Sequence, residues 1–463
     1  MWVPDYENRP GRIYAAIADA MADDIAAGRL RAGQRLPTHR ELARRLDLSV
    51  STVSKAYELA ARRHLIGGEV GRGTFVTLPP SDLVSRLDRS HPQSNLIDLT
   101  FNCPVQLEAQ ESALASALRE IAGCERLRLL MPYHRDWIGL GEHREAASAW
   151  LAGRGAKAAP NDIVIVNGGQ QGVSVLLSAL LQPGEIMAVE ELTDPGIKFL
   201  ASSRHLTLKG LPIDAQGLIP EAFEAACRNG PVRALYCCPN HHSPTLAVIP
   251  VERRKAIADI AIRHDVILIE DDVYGGFVEP ALPALSSFAP EHSFYVTSLS
   301  KLVCPGLRIG YIATPPGRAR ALIPGLGATT WMAALLSAEI AYRWINDGTT
   351  DRLARLQRDE LRKRQKLAAE ILDGQSFRSL PTGLNIWLDL PQAWRGERFA
   401  AALRAEGVAV TPAEAYAVGH GPSRQSVRVS LGGATPSYHV LQKGLEILAR
   451  VLGERPARSY AVR

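Results

Sequence analysis

The sequence predicts a multidomain chain: a small α+β unit, followed by a larger α/β domain that ends in a small C-terminal α+β lobe. Two observations predict this order. Two short helical patterns and a glycine-rich β pattern precede residue 78, and short β-prone runs alternate with longer helical patterns beyond residue 95. Such alternation is typical of a mostly parallel sheet covered by helices. The 463 residues leave room for about three domains.

Composition excludes several classes of protein. Hydrophobic residues make up 46% of the chain and charged residues 22%, which is ordinary for a globular protein, and the net charge of +5 is too mild to indicate nucleic acid by itself. No apolar run approaches the length of a membrane span, and the first residues lack the pattern of a secretory signal. The six cysteines form no CxxC pair or zinc-ligand spacing, so we expect reduced thiols, a cytoplasmic protein and no metal site.

The first informative stretch is "RLPTHRELARRLDLSVSTVSKAYELAARR". Thr38 can cap a helix, with Glu41 three residues later as its capping-box partner. After a short polar turn, Ser49 or Ser51 can cap a second helix that runs to about Arg63. Two short helices joined by a tight turn, the second with small polar and basic residues near its start, predict a helix-turn-helix.

A glycine-rich stretch, "LIGGEVGRGTFV", follows the helix pair and places Arg72 between two β-prone runs. It predicts a hairpin wing that can reach the phosphate backbone of DNA. A helix pair alone is also compatible with a small helical lid. The pair and the wing in this order favour DNA binding.

The N-terminal segment "GQRLPTHRELARRLDLSVSTVSKAYELAARRHLI" resembles the winged helix of GntR-type bacterial regulators. The resemblance implies that eight positions face DNA: Arg35, Thr38, Arg40, Ser51, Thr52, Lys55, Arg72 and Gly73. Next comes "LPPSDLVSRLDRSHPQSN", which is rich in Pro, Ser and charge and is typical of a linker. We therefore predict a DNA-binding domain over residues 1–78, a linker over 79–95 and an α/β domain over 96–455.

Five short runs predict the strands of the α/β domain: "DIVIVNGG", "EIMAVEE", "VRALYCCP", "DVILIED" and "SFYVTS". Nearer the C-terminus, "LNIWLDLP", "GVAVTP" and "SVRVSLGG" flank helical patterns over Phe399–Glu406 and Tyr438–Leu452. These runs predict the small α+β lobe.

A lysine stands between two apolar runs in "VTSLSKLVCPGLRIGYIA". Lys301 could form a Schiff base with the aldehyde of pyridoxal 5'-phosphate (PLP), a cofactor whose ring nitrogen needs a carboxylate and whose 3-oxygen needs a donor. Asp271 and Tyr274 follow the strand "VILIED", and ligand groups in open α/β sheets lie at the carboxyl ends of strands. We predict that Asp271 meets the ring nitrogen and Tyr274 the 3-oxygen.

The cofactor phosphate needs backbone N–H groups, hydroxyls and a cation. "VNGGQQG" ends a strand and opens a helix, so Gly169 and Gln170 can cradle the phosphate, and Ser298 and Arg308 can complete the site. Arg428, in "SVRVSLGG", could bind the carboxylate of an amino acid. Taken singly, each of these residues has an ordinary explanation, such as a helix cap or a surface ion pair. The ordered set favours a cofactor site.

From about Leu96 to Leu452 the chain resembles fold-type I PLP-dependent aminotransferases, and "SLSKLVCPGLRIGY" resembles their cofactor-lysine segment. A GntR winged helix fused to such a domain resembles the MocR-type subfamily of regulators. The resemblance implies that Lys301 is the catalytic, Schiff-base lysine and that Arg428 binds the substrate carboxylate. It also implies a head-to-tail homodimer and double-stranded DNA as a partner.

Three positions depart from the family pattern. Asp194, in "ELTDPGIK", replaces an aromatic residue that stacks on the cofactor, Ser243, in "PNHHSPTLAV", replaces an asparagine that donates to its 3-oxygen, and Leu246 replaces a glycine. We therefore predict a regulator that senses PLP, an amino-acid-type effector or both, with weak or absent catalysis. Two alternatives stay open: a working aminotransferase that carries a DNA-binding domain, and a cofactor-free dimer scaffold.

Overall fold

The computed structural model describes residues 2–6, 9, 12–26, 29–30, 34–62, 65–69, 73–76, 96–133, 136–419, 425–433 and 437–454. Internal contacts divide the chain into two compact units, Met1–Ser94 and Asn95–Arg463. The predicted linker, residues 79–95, and Arg72 at the predicted wing tip lie outside the described residues. Within the described part of the chain, no helix is long and apolar enough to cross a membrane.

The first unit consists of three helices and an antiparallel hairpin: α1 Ile13–Ala26, α2 His39–Leu46, α3 Val50–Arg62, β1 Ile66–Glu69 and β2 Gly73–Val76. Thr38 and Glu41 form the predicted capping box at the start of α2. Ser49 caps α3, because its hydroxyl accepts from the amide of Thr52 at 3.1 Å. The sequence pattern did not predict α1, whose buried Met21 packs into the same core as α2 and α3.

The chain that leads into α2 also joins the wing. The amide of Leu36 donates to the oxygen of Thr74, and the amide of Val76 donates to the oxygen of Gln34. These bonds connect β2 to the segment that precedes α2. The wing and the helix pair α2–α3 therefore form one folded unit.

The second unit is built on a seven-stranded sheet. Its helices and strands, up to the end of the sheet, are β3 Ile97–Asp98, α4 Glu108–Ala122, α5 Gly141–Ala152, β4 Ile163–Val166, α6 Gly169–Leu180, β5 Ile186–Glu190, α7 Pro195–Ser203, β6 Thr207–Leu211, β7 Ile213–Asp214, β8 Gly217–Leu218, α8 Pro220–Arg228, β9 Val232–Cys237, α9 Val251–Arg263, β10 Ile267–Asp271, β11 Ser293–Ser298 and β12 Gly310–Ala313.

The strand order of this sheet is β4-β12-β11-β10-β9-β5-β6. All neighbours are parallel except β12, which runs antiparallel to both β11 and β4. The five predicted strand runs are β4, β5, β9, β10 and β11. Helices pack against the sheet through three clusters of buried apolar side chains. The carboxyl ends of the parallel strands meet along one edge of the sheet.

The rest of the second unit comprises α10 Ile323–Gly327, α11 Leu335–Asn346, α12 Thr349–Ile371, β13 Phe377–Arg378, β14 Asn385–Asp389, α13 Gly396–Ala405, β15 Val408–Ala409, β16 Thr411–Pro412, β17 Ser426–Ser430 and α14 Tyr438–Gly453. An antiparallel sheet of order β13-β14-β17-β16 packs with α13 and α14 as the small lobe. The predicted fold class, a winged helix-turn-helix before an α/β domain with a small α+β lobe, is confirmed.

Candidate functional site

The predicted DNA-facing residues lie around the start of α3 and the segment before α2. The hydroxyl of Ser49 lies 2.8 Å from the hydroxyls of Ser51 and Thr52, which gives the first turn of α3 a cluster of exposed polar groups. Lys55 is exposed one turn further along. The remaining described members are exposed around α2 or begin the wing strand: Arg35, Thr38, Arg40 and Gly73.

A glycine pair forms a cradle where β4 turns into α6. Gly168 precedes the helix with a φ of 89°, in the left-handed region that favours glycine. A Cβ atom on Gly168 would lie 2.9 Å from Nη2 of Arg308, and one on Gly169 would lie 2.6 Å from the side chain of Val273. The backbone N–H groups of a helix start beside an arginine are the arrangement that binds phosphate, so this corner fits the phosphate of PLP.

Ser298 ends β11 beside this cradle. It is paired in register with Gly310, whose own Cβ position is 3.1 Å from the Cα of Gly168. Arg308 donates to Ser300 and to the oxygen of Asn167, each at 3.4 Å. The structure therefore brings Gly169, Ser298 and Arg308 together. Gln170 lies on the same turn, and its amide points to the oxygen of Gly196 at 3.3 Å.

Asp271 ends β10 at the carboxyl edge of the sheet. Its carboxylate accepts from the phenol of Tyr236 at 2.7 Å and from the amide of Val273 at 3.1 Å. Burial raises the pKa of Asp271 to about 6, although both hydrogen bonds act in the opposite direction. The sequence analysis did not identify Tyr236, which holds this carboxylate in place from the neighbouring strand.

Lys301 and Tyr274 lie close together beyond Asp271. The amine of Lys301 donates to the main-chain oxygen of Asn102 at 2.6 Å, and it lies 5.5 Å from the centre of the Tyr274 ring. The Tyr274 ring is buried and stacks on His241, with centroids 5.1 Å apart and an interplanar angle of 17°. The amine of Lys301 also lies 5.5 Å from the centre of the Phe101 ring.

Arg428 is a buried cation in the middle of β17. Its guanidinium donates to the oxygen of Thr100 at 2.6 Å and to Ser243 at 3.4 Å, and it lies 5.1 Å from the centre of the Tyr416 ring. Its Nε is buried and has no hydrogen-bond partner within the described ranges. No carboxylate of the described residues forms an ion pair with it, so the surface ion-pair explanation does not hold for Arg428.

Asp194, at the position where relatives carry an aromatic residue, caps α7. Its carboxylate accepts from the amide of Gly196 at 2.8 Å, and its negative charge contributes to the raised pKa of Asp271. Ser243 is only 1% exposed and precedes Pro244, so its hydroxyl lies inside the site rather than at the surface. Asp194 therefore has a local structural role that the sequence comparison did not reveal.

Five residues of the site escaped the sequence analysis, and each contacts a predicted residue: Thr100, Asn102, Tyr236, His241 and Tyr416. The adjacent histidines of "PNHHSPT" are both buried, which the sequence pattern did not indicate. Across the residues that the structure describes, no group of three His, Cys, Asp or Glu side chains could hold a metal ion.

Two family models match the chain. Residues 95–446 match the model described as aminotransferase class I and II, and residues 13–76 match the model of bacterial regulatory proteins of the gntR family. The two matches follow each other in the order of the two compact units.

Three curated relatives match most of the chain. The HTH-type transcriptional regulator YdeF of Bacillus subtilis is 32% identical over 453 residues, 98% of this chain and 97% of that protein. The vitamin B6 salvage pathway transcriptional repressor PtsJ of Salmonella typhimurium is 28% identical, covering 88% of this chain and 92% of its own. The pyridoxine biosynthesis transcriptional regulator PdxR of Corynebacterium glutamicum is 26% identical over 76% of this chain and 78% of its own.

Solved aminotransferases share the fold of the second unit. Kynurenine aminotransferase of Pyrococcus horikoshii superposes with a TM-score of 0.72 and 22% identity over 80% of this chain and 94% of that one. Aspartate aminotransferase of Thermus thermophilus superposes with a TM-score of 0.68 and 23% identity over 80% of this chain and 96% of that one.

Proposed function

The chain belongs to the GntR-type transcriptional regulators that carry a class I and II aminotransferase domain, the MocR-type subfamily. On this basis we propose the following ligands and assembly. It binds double-stranded DNA through residues 1–78. Its domain over residues 96–455 holds PLP and responds to an amino-acid-type effector. The linker over residues 79–95 joins the two.

The observation that carries this proposal is the grouping of three residues along one edge of the sheet: Asp271 ends β10, and Lys301 and Arg308 lie in the segment between β11 and β12. Lys301 would bind the cofactor covalently, Asp271 would pair with its ring nitrogen and Tyr274 would donate to its 3-oxygen. The glycine cradle with Ser298 and Arg308 would hold its phosphate. When bound, PLP supplies an electron sink for chemistry at the amino group of an amino acid.

Arg428 supports an effector with a carboxylate. A buried guanidinium is costly unless an anion compensates its charge, and this one has only uncharged acceptors in its surroundings. A planar carboxylate could accept two hydrogen bonds from it. The names of the relatives PtsJ and PdxR, which refer to vitamin B6 salvage and to pyridoxine biosynthesis, independently support a PLP-related signal.

A short main-chain segment supports sensing. Thr100 offers its oxygen to Arg428, and Asn102 offers its oxygen to the amine of Lys301. A cofactor on Lys301 and a carboxylate on Arg428 would each take the place of one of these oxygens. Because this segment follows the linker by only a few residues, ligand binding would change the restraint on the chain that leads to the DNA-binding domain.

An exposed apolar surface supports a homodimer, in the head-to-tail arrangement that the family resemblance implies. Met131 and Tyr133 are 80% and 82% exposed, and Trp331 is 50% exposed while it stacks on Trp137 with ring centres 5.7 Å apart. Large, contiguous exposed apolar side chains mark interaction surfaces. A second copy of the chain is the occupant that we propose.

The test is a cofactor titration of the purified full-length protein, read by visible absorbance and by borohydride reduction followed by peptide mapping. We expect one reduced adduct, on Lys301, and no adduct in Lys301→Ala. Absence of any bound cofactor in the wild type would favour the dimer scaffold instead. Fast turnover of an amino acid with a keto acid would favour a working aminotransferase.

A further inference from the structure

A cleft of about 370 Å³ opens on another part of the second unit. It lies between the C-terminal end of α5, the segment that follows Tyr274 and the first half of α12. None of the residues assigned to the cofactor or to the effector carboxylate lines it. Two arginines, Arg154 and Arg358, do line it, and they differ in the hydrogen bonds and ion pairs that their guanidinium groups form.

Arg154 lies in this cleft, and the carboxylates of Asp272 and Asp351 offset part of its charge at longer range without contacting it directly. Its guanidinium carbon is 4.2 Å from the centre of the Trp150 ring. Gly276 lies against it, since a Cβ atom there would be 2.5 Å from Nη1. Within the described ranges, no acceptor forms a hydrogen bond with the Arg154 guanidinium and no carboxylate forms an ion pair with it. Burial lowers the pKa of Arg154, which reflects the cost of holding this charge.

Other arginines in the same region are fully engaged. Arg358 pairs with Glu279 at 3.0 Å and donates to the oxygen of Gly276 at 3.1 Å. Arg254, which is completely buried, donates to three main-chain oxygens and to the side chain of Asn240. Arg254 and Arg358 are thus satisfied by internal acceptors, whereas the guanidinium of Arg154, which lines the cleft, has no hydrogen-bond acceptor among the described residues.

We propose that this cleft binds a small oxyanion, a carboxylate or a phosphate group, through the guanidinium of Arg154. The planar fork of an arginine matches both groups, and the Trp150 ring packs against the guanidinium. Asn240 lines the cleft as an additional polar side chain, although its amide already donates to Asp272 at 2.8 Å. Asp351 and Glu279, the latter paired with Arg358, also line the cleft, so a small ligand with one anionic group fits better than a polyanion.

The test uses two probes, inorganic phosphate and acetate, titrated calorimetrically into the full-length chain at constant ionic strength. Both could also bind the cofactor site, so the titrations are made in a chain that carries Arg308→Met and Arg428→Met. We expect saturable binding of at least one probe, and a loss of tenfold or more in affinity when Arg154→Met is added. Arg154→Lys should retain part of the affinity, because it keeps the charge but loses the fork. The matched control is Arg233→Met, an exposed arginine on β9 that does not line the cleft.

The probe that binds more tightly shows whether the cleft prefers a phosphate or a carboxylate. Binding of either probe through Arg154 supports the proposal. Equal affinity with and without Arg154 would overturn it, as would the absence of binding by both probes. If the background variants fail to fold, crystals of the wild type soaked in selenate give the same decision. An anomalous peak within hydrogen-bonding distance of Arg154 supports the proposal, and its absence there overturns it. Because the cofactor site is disabled in the titrations, a negative result leaves the proposed function intact.

Discussion

The phenol of Tyr236 donates a 2.7 Å hydrogen bond to the carboxylate of Asp271. Burial is the largest influence on this carboxyl group and raises its pKa to about 6, whereas the bond from Tyr236 lowers the pKa. In Tyr236→Phe the lowering influence is lost, so the pKa of Asp271 rises further. The ionised carboxylate is the form that pairs with a protonated ring nitrogen. We therefore expect cofactor affinity to weaken on acidification at a higher pH in Tyr236→Phe than in the wild type.

The measurement is a cofactor titration at several pH values on either side of the pKa of Asp271. The matched control is Tyr295→Phe, which removes a 2.6 Å bond from the adjacent carboxylate, Asp272. It should leave the pH profile of cofactor binding close to that of the wild type. Identical profiles for Tyr236→Phe and the wild type would contradict the proposed role of Asp271.

The buried carboxyl group of Glu190 makes stability depend on pH. Burial raises its pKa from 4.5 to about 8. One of its oxygens accepts from the amide of Cys238, and the other has no hydrogen-bond partner among the described residues but lies 3.8 Å from Nε2 of the buried His242. Between these two pKa values the folded state holds a proton that the unfolded state releases. The free energy of unfolding therefore falls as pH rises through this range, by at most about 5 kcal/mol from this group.

Glu190→Gln should remove that part of the pH dependence, because the amide does not titrate. We expect the free energy of unfolding of the second unit, measured by denaturant titration, to fall less steeply with rising pH in the variant. The quantity to compare is the slope of the unfolding free energy against pH, because the glutamine also changes the hydrogen bonds at this position by an amount that does not depend on pH. Parallel curves for the two proteins would show that Glu190 is not the titrating group.

Arg40 and Lys55 are exposed positions of the predicted DNA-binding surface. If each contacts a phosphate, Arg40→Ala and Lys55→Ala weaken binding to all DNA sequences, and each lowers the slope of log affinity against log salt by about 0.9. Fluorescence anisotropy with a labelled operator at several salt concentrations measures both effects. Arg29→Ala, on an arginine already paired with Asp24, is the control and should change neither value.

The departures at Asp194 and Ser243 are expected to weaken the hold on the cofactor. Asp194→Tyr combined with Ser243→Asn restores a stacking ring and a longer donor, so cofactor binding should tighten by about 1–3 kcal/mol. The gains need not add, because both residues would contact the same ring. The tyrosine also loses the cap that Asp194 gives α7, at a cost of about 1 kcal/mol in folding stability.

Apo-protein titrations of the wild type and the double variant measure this difference, and a half-transamination assay on each measures catalysis. Asp194→Asn is the matched control, since asparagine caps helices and only removes the charge. If the wild type binds the cofactor as tightly as the double variant and turns over amino acids at ordinary enzyme rates, the sensing hypothesis is wrong.

The exposed side chains of Met131 and Trp331 belong to the proposed dimer surface. Met131→Asp combined with Trp331→Asp places two charges on that surface, which a second copy could cover only at a large desolvation cost. Sedimentation equilibrium should find a dimer for the wild type and a monomer for the double variant. Leu336→Asp, on an exposed leucine of α11, serves as a control for the introduction of charge.

Much of this arrangement could be predicted because the relevant signals are local. The capping box of Thr38 and Glu41 and the apolar runs of the parallel strands depend on neighbours in sequence, and the structure confirms them. The helix α1 was missed because its packing against α3, rather than a capping signal, defines it. The roles of the residues assigned to the cofactor and to DNA remain predictions.

The contacts that hold the site together connect residues far apart in sequence, so the sequence could not reveal them. Tyr236 meets Asp271 across neighbouring strands, and Thr100 meets Arg428 across 328 positions of the chain. Asp194 was compared only with the aromatic residue of relatives, and its cap on α7 became visible when the direction of its side chain was known.

If the chain senses ligands as proposed, the segment from Thr100 to Asn102 also determines how much ligand a response needs. In the proposed function its two oxygens are intramolecular competitors for the cations that the ligand must reach, so apparent affinity falls in proportion to the strength of that competition. The competitor is itself anchored: Ser430 bonds to the oxygen of Phe101, and Asn385 accepts from the amide of Asn102. Substitutions at these anchors would therefore adjust the concentration threshold of the regulator without altering any atom that touches the ligand.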